Sequence, residues 1–459
     1  MNLTAGGVIM DFSPWTAFTD LGFIAILLVI GTVLRAKVTF IQKLFLPASI
    51  IAGLLGLILG PNGVGFIPFS DQIETYPGIL IAIVFGSIPL TTGKFDWHAI
   101  KSRVGSMWAY SQNSMILMWG GGLLFSLLLI NPFWEDVHAG FGILLAAGFV
   151  GGHGTAAAVG DTFARHGWED ATSLAMTSAT VGVLAAILLG ILFIKLGSIR
   201  GHTSFLASFD QLPNELRTGL IPKNARDRME TDTVSSNTID PFIFHFSLVV
   251  LIGLGGYYLS ELGEMLLPQA SIPAFSLAFV VGLVVQQILV KTGGENYVSK
   301  DVINRMSGSA TDVLVAFGIA SISLAVVLDY IVPLILLFLI GLGIAYFFFK
   351  ILSQAFFSNY WFEKGIFTWG WNTGTVAMGI ALLRIVDPEL KSKTLDDYGL
   401  AYIPIAPVEI MLITFGPLFI VNSQSFLFAG LCLLVSAIIF LIAYKNKWAV
   451  LGKKREMSQ

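Results

Sequence analysis

Gly148-Phe149-Val150-Gly151-Gly152-His153-Gly154-Thr155, running on into Ala156-Ala157-Ala158, places four glycines in seven positions inside an apolar run. Whether that run, 139–160, crosses a membrane or enters and returns decides the topology of the whole chain. The composition sets the class. Hydrophobic residues make up 55% of the chain and charged ones only 12%, with a mean hydropathy of +0.80, which is too little polar surface for a soluble domain. The pattern reads as an all-α polytopic membrane protein. Runs 18–33, 44–60, 76–92, 107–130, 139–160 and 171–193 precede a polar stretch, and 241–259, 272–290, 308–328, 331–349, 365–386, 400–420 and 425–444 follow it.

The basic residues choose between crossing and re-entry. Arg35, Lys37 and Lys43 mark the first gap as cytoplasmic, and Lys94, Lys101 and Arg103 mark the third. If 139–160 crossed, the central stretch with Arg200, Arg217, Lys223, Arg226 and Arg228 would be exported. If 365–386 crossed, Lys391, Lys393 and the terminal Lys445, Lys447, Lys453, Lys454 and Arg455 would be exported. With both segments re-entrant, 25 of the 26 Lys and Arg fall inside, Arg165 being the exception. The expectation is eleven transmembrane helices, N-terminus outside and C-terminus cytoplasmic. They divide into a repeat at 17–197 with hairpin 139–165, a cytoplasmic linker at 198–240, a repeat at 241–420 with hairpin 365–387, and an extra span with a basic tail at 421–459. Five crossings per repeat make the repeats inverted. The first 16 residues lack Lys and Arg, so the run from Phe18 is expected to be a retained span.

Internal similarity supports the repeats. Leu46-Pro47-Ala48 through Gly56-Leu57 aligns with Ile272-Pro273-Ala274 through Gly282-Leu283. Leu80, Ala82, Ser87, Ile88 and Leu90 align with Leu314, Ala316, Ser321, Ile322 and Leu324, and Gly154-Thr155 with Gly374-Thr375.

Non-helical backbone at membrane depth survives only where protein or a watered cavity satisfies it, so the two tips are the candidate site. Gly151, Gly152, His153, Gly154 and Thr155 would turn amides and the positive end of a helix toward a carboxylate, while turned-out carbonyls suit Na⁺. Asn372, Thr373, Gly374 and Thr375 add amide and hydroxyl groups from the second tip. Arg384 could reach a solute carboxylate or snorkel to headgroups, and Arg165 stands at the same choice. Glu409, mid-span in a stretch that Pro404 and Pro407 are expected to break, is a candidate Na⁺ ligand, with the prolines freeing carbonyls nearby, or else a structural partner for a nearby donor. Thr177 and Ser178 are further Na⁺ candidates, although back-bonding to the preceding turn competes. For Asp161 and Asp312, cation or proton coupling competes with helix capping. His153 has no neighbouring His or Cys and is expected to orient the loop. The lone Cys432 offers neither a disulfide nor a thiolate metal site.

Gly151-Gly152-His153-Gly154-Thr155-Ala156-Ala157, then Arg165-His166-Gly167-Trp168 and 171–182, resembles the first re-entrant motif of the bacterial sodium/glutamate symporter family. The resemblance implies Na⁺-coupled uptake of glutamate across the bacterial inner membrane by a homodimer, with an elevator-like motion of the hairpin-bearing part. The chain departs from the family at the second tip, where Gly-Leu-Gly-Ala-Thr-Pro-Thr is replaced by Trp371-Asn372-Thr373-Gly374-Thr375. It departs again at Glu409, where the family tends to have Asp. Another amino acid or small carboxylate is the alternative solute. No Walker A, His-Glu-x-x-His or Gly-x-Ser-x-Gly motif is present, so an enzyme is not expected, nor is a nucleic-acid partner. A passive channel with two facing loops is the remaining rival.

Overall fold

A computed structural model describes residues 13–44, 46–91, 104–205, 218–221, 233–234, 237–266, 273–388 and 390–449. Lys94, Lys101, Arg103, Arg217, Lys223, Arg226, Arg228 and the basic tail from Lys453 lie outside them. Every regular element among the described residues is helical, and eight helices are long and apolar enough to cross a membrane.

The chain opens with α1 (Pro14–Lys37), capped where Thr16 N–H donates to Ser13 Oγ at 3.2 Å. After the short α2 (Thr39–Lys43) come α3 (Ala48–Leu59) and α4 (Tyr76–Thr91). At 12 and 16 residues, α3 and α4 are shorter than the ~20 residues a perpendicular crossing needs. The first half continues with α5 (Gly105–Phe125), the short α6 (Ile143–Phe149), α7 (Gly152–Arg165) and α8 (Ala171–Ile199). The second half holds α9 (Pro241–Leu266), α10 (Ala274–Thr292), α11 (Lys300–Ala320), α12 (Leu324–Asp329), α13 (Ile331–Phe347) and α14 (Ser353–Phe356). Last come α15 (Trp361–Thr373), α16 (Val376–Val386), α17 (Thr394–Val421) and α18 (Ser425–Lys445).

Two expected boundaries move. The apolar run at 308–328 divides, because α11 stops at Ala320 and Ser323 caps a new helix, its side chain accepting from Val326 N at 3.5 Å. The span around Glu409 is not broken. Helix α17 runs unbroken past Pro404, Pro407 and Pro417, since packing on both sides holds a helix that local propensity would interrupt. Each proline still removes one backbone donor, so the carbonyls of Leu400 and Ile403 lack their usual i+4 partner.

Pro47 and Pro273 occupy matching places. Both have extended backbone (φ −58°, ψ 148° and φ −59°, ψ 142°), and both carbonyls accept from the third and fourth residues onward to start α3 and α10. Helices α5 and α13 each end in a π turn, at Ser126–Ile130 and Phe348–Leu352.

Packing sorts the helices into two groups. Helices α1, α3, α4, α9, α10 and α11 form a scaffold in which α3 lies on α11 and α10 lies on α4. Small residues permit both approaches: Gly53 and Gly56 sit against Ile319 and Ala320, and Gly86 sits against Ala278. The second group gathers α5 through α8, α13 and α15 through α18. The groups meet mainly where α4 and α11 face α7.

Candidate functional site

The first tip is a turn between antiparallel arms, because Gly140 at its entry packs on Phe163 near its exit. Val150 N–H and Gly151 N–H both donate to the Ala146 carbonyl at 3.1 Å, ending α6. Gly152 then takes φ +66°, a left-handed conformation that L side chains rarely adopt, and α7 begins there. No side chain caps α7, so the amides of its first turn face the space ahead of them.

The second tip reverses at Gly374. Its arms lie close, Gly370 against Gly379, and Met378 N–H donates to Thr375 Oγ1 at 3.4 Å to cap α16. The tips touch: a Cβ on Gly152 would stand 3.0 Å from Thr375 Cγ2 and 3.4 Å from the Gly374 carbonyl oxygen. Behind them Gly182 of α8 packs on the Thr373 carbonyl and on Phe149.

A cavity of about 190 Å³ opens at this junction. Gly151 through Thr155, Thr375 and Glu409 line it together, with Tyr402 and Ala406 of α17 beside Glu409. Across from them the scaffold presents Ile81, Val84, Phe85 and Ile88 of α4, and Thr311, Leu314 and Val315 of α11. One wall is therefore polar and charged, and the facing wall is almost wholly apolar. The volume is below the ~300 Å³ at which drug-sized ligand pockets begin, so an amino-acid-sized solute is the scale. Tyr402 O–H donates to Glu409 Oε2 at 2.9 Å. His153 is buried, with Nε2 3.2 Å from Thr180 Oγ1. That hydroxyl donates its own hydrogen to the Met176 carbonyl at 2.9 Å, so the ring must be the donor and its Nε2 carries the proton. His153 thus ties the tip to α8. Among the described residues no three His, Cys, Asp or Glu side chains gather as a metal group.

Other sequence candidates sit elsewhere. Asn372 is buried behind the second tip, and neither amide atom has a protein partner. Arg384 lies at the base of the second hairpin, where Nη1 donates to the Pro388 carbonyl at 2.7 Å. Thr177 Oγ1 donates to the Ser173 carbonyl at 2.7 Å, whereas Ser178 is buried against Gly148 with its hydroxyl unbonded. Asp161 pairs with Arg165 at 3.0 Å, Arg165 also lies 3.8 Å from Glu264 of α9, and Asp312 is exposed on α11. Sequence reasoning passed over Ser111-Gln112-Asn113-Ser114 on α5, all buried, with both Gln112 amide atoms and the Ser114 hydroxyl unpartnered. Four consecutive polar residues within a span were the available sign. It also passed over Tyr402, two helical turns before Glu409.

The glycine tip, its helix start and the elements after it form a single stretch of the chain. Residues 136–360 match the sodium/glutamate symporter family. The symporter match covers just under half of the chain. It includes Gly151 through Thr155, Thr177 and Ser178, and ends before the second tip and Glu409. No curated protein matches the chain. Among solved structures, the sodium proton antiporter MjNhaP1 from Methanocaldococcus jannaschii aligns over 89% of this chain and 99% of its own, at 16% identity and a TM-score of 0.39.

Proposed function

We propose that the chain is a Na⁺-coupled secondary carrier that takes up glutamate or a related anionic amino acid. The observation that carries this reading is the composition of one cavity, where uncapped amides of α7 and the Glu409 carboxylate occupy the same small space. Alone, the carboxylate would repel an anionic solute. With a cation on it, the cavity is complementary to an ion and an anion together, which is what symport requires. The symporter match to the first tip supports the same solute class.

In this mechanism Na⁺ binds the Glu409 carboxylate in the cavity. The solute carboxylate then settles on the amides of Gly152 through Thr155, and Thr155 and Thr375 contribute hydroxyls. Each ligand makes the other's binding favourable, which is coupling. The hairpin group carries the loaded site past the apolar wall of α4 and α11, an elevator-like motion. Matching starts at Pro47 and Pro273, matching π turns and the reciprocal pairs α3 with α11 and α10 with α4 support two inverted repeats. On this reading α3, α4 and α11 join the eight long helices as spans, α18 is the extra one, and the carrier is a homodimer of the bacterial inner membrane with its C-terminus inside. A related carboxylate or another amino acid is the second reading, because the second tip and Glu409 lie beyond the matched stretch.

The test is uptake of labelled glutamate into proteoliposomes with an inward Na⁺ gradient, against K⁺ in its place. Accumulation that needs Na⁺ is expected. Non-saturable equilibration without accumulation in either salt would make the chain a channel. No glutamate uptake, with Na⁺-dependent thermal stabilisation by another amino acid or dicarboxylate, would keep the carrier and change the solute.

A further inference from the structure

A second groove lies far from the tips, where the end of α8, the π turn after α13 and the start of α15 converge. It holds about 40 Å³ and is lined by Arg200, His202 and Lys350 with Phe193, Tyr346 and Phe362. The three basic groups converge by fold, since they come from two segments 150 residues apart in sequence. Lys350 Nζ stands 5.5 Å above the Trp361 ring, and the His202 ring meets the same indole edge to face at 5.2 Å. The indole fixes both at the rim. The groups are close enough to feel one another: burial first, then the Lys350 and Arg200 charges, lower the pKa of His202.

No carboxylate among the described residues pairs with them. Among the described residues, neither Arg200 nor Lys350 forms an ion pair, and Glu363, next to Phe362, turns its Oε1 to the Ser204 amide at 2.6 Å. Converging basic groups around a recess of this size suit a phosphate group. The flanks select the form in which phosphate arrives. Leu192, Leu196 and Ile199 on α8, and Tyr346, Phe347 and Ile351 near Lys350, are all exposed apolar side chains on the elements that carry the basic rim. A free anion gains nothing from them, whereas acyl chains do.

We propose that this groove binds the phosphate headgroup of an anionic phospholipid, its acyl chains lying along the exposed apolar side chains of α8 and of the turn after α13. Arg200 and Lys350 hold the phosphate, and Trp361 positions Lys350. The lipid fastens the base of the second hairpin to the end of α8, so it bears on the part of the molecule that also carries the cavity.

The experiment uses the full chain, purified and delipidated in detergent, with phosphatidylglycerol or phosphatidylcholine titrated back and bound lipid counted by native mass spectrometry. The wild-type chain is expected to hold phosphatidylglycerol roughly tenfold or more tightly than phosphatidylcholine. Arg200→Gln with Lys350→Gln should lose that preference, and Arg200→Lys with Lys350→Arg should keep it. Equal affinity for the two lipids in the wild type, or a preference that survives the double Gln change, overturns the proposal. If the double variant does not fold, Arg200→Gln alone, at an exposed helix end, is read by the same criterion. Inorganic phosphate is titrated in parallel. If it raises the melting temperature as far as phosphatidylglycerol does and displaces that lipid, the ligand is a free anion and the lipid assignment falls.

Discussion

Glu409 and the amides of Gly152 through Thr155 share one cavity, and the balance between them can be tested one side chain at a time. Glu409→Gln keeps an acceptor for the Tyr402 hydroxyl and removes the charge. The expected result is loss of Na⁺ dependence with uptake reduced about tenfold or more, equivalent to at least ~1.4 kcal/mol, while the melting temperature without Na⁺ stays near wild type. Uptake that kept its Na⁺ dependence would remove Glu409 from the cation site. Gly152 poses a different question, because both its φ of +66° and the nearness of Thr375 oppose a side chain. Gly152→Ala should cost about 1 kcal/mol or more from backbone strain alone. Gly65→Ala, at φ +72° with nothing within 4 Å, is the control for that strain. A larger fall in melting temperature and solute affinity for Gly152→Ala than for Gly65→Ala would measure the contact between the tips. Equal falls would mean that the contact carries no energy.

Among the elements, α18 is the one that the inverted-repeat reading leaves over, and its attachment is specific. Asn113 Nδ2 on α5 donates to the Ser436 carbonyl at 3.2 Å, and the Ser436 hydroxyl donates back to Asn113 Oδ1. The pair is buried, so Asn113→Ala strands polar groups away from water. A destabilisation of about 1–3 kcal/mol is expected by thermal melting in detergent, with uptake per folded molecule unchanged. A fall in uptake at normal stability would give α18 a part in transport. The elements also show where the sequence was legible. The glycines Gly151, Gly152 and Gly154 and a carboxylate at Glu409 stand out because each is costly in a membrane unless it serves a site. The end of α11 and the continuity of α17 did not stand out, since serines in an apolar run and prolines in a helix are decided by neighbours distant in the chain. The polar run on α5 was visible but unread, as an apolar count over a whole span dilutes four residues. The Tyr402 to Glu409 bond requires the helix to be unbroken first.

For the whole molecule, the contrast between the cavity's two walls bears directly on motion. The scaffold wall is apolar apart from Thr311, so the proposed sliding past it would break no strong polar contact. Ile81 and Gly154 face each other across the boundary, a Cβ on Gly154 standing 2.9 Å from Ile81 Cδ1. With the buried Cys432 changed to Ala, Ile81→Cys and Gly154→Cys should form a crosslink under oxidation. If the groups move, oxidation should abolish uptake and reduction should restore it. A crosslinked molecule that still transports at the wild-type rate would exclude the elevator.

The crossed packing of the scaffold has a consequence for how the chain is made. Gly53 and Gly56 of α3 wait for α11, and Gly86 of α4 waits for α10. While residues 198–240 are still being synthesised, the helices already made therefore include two whose close seats do not yet exist. On the inverted-repeat reading neither half owns a finished scaffold, and the early helices are expected to complete their packing only when residues 273–320 arrive. Two separate polypeptides, divided within 206–217, should assemble when made together, whereas either alone should be degraded.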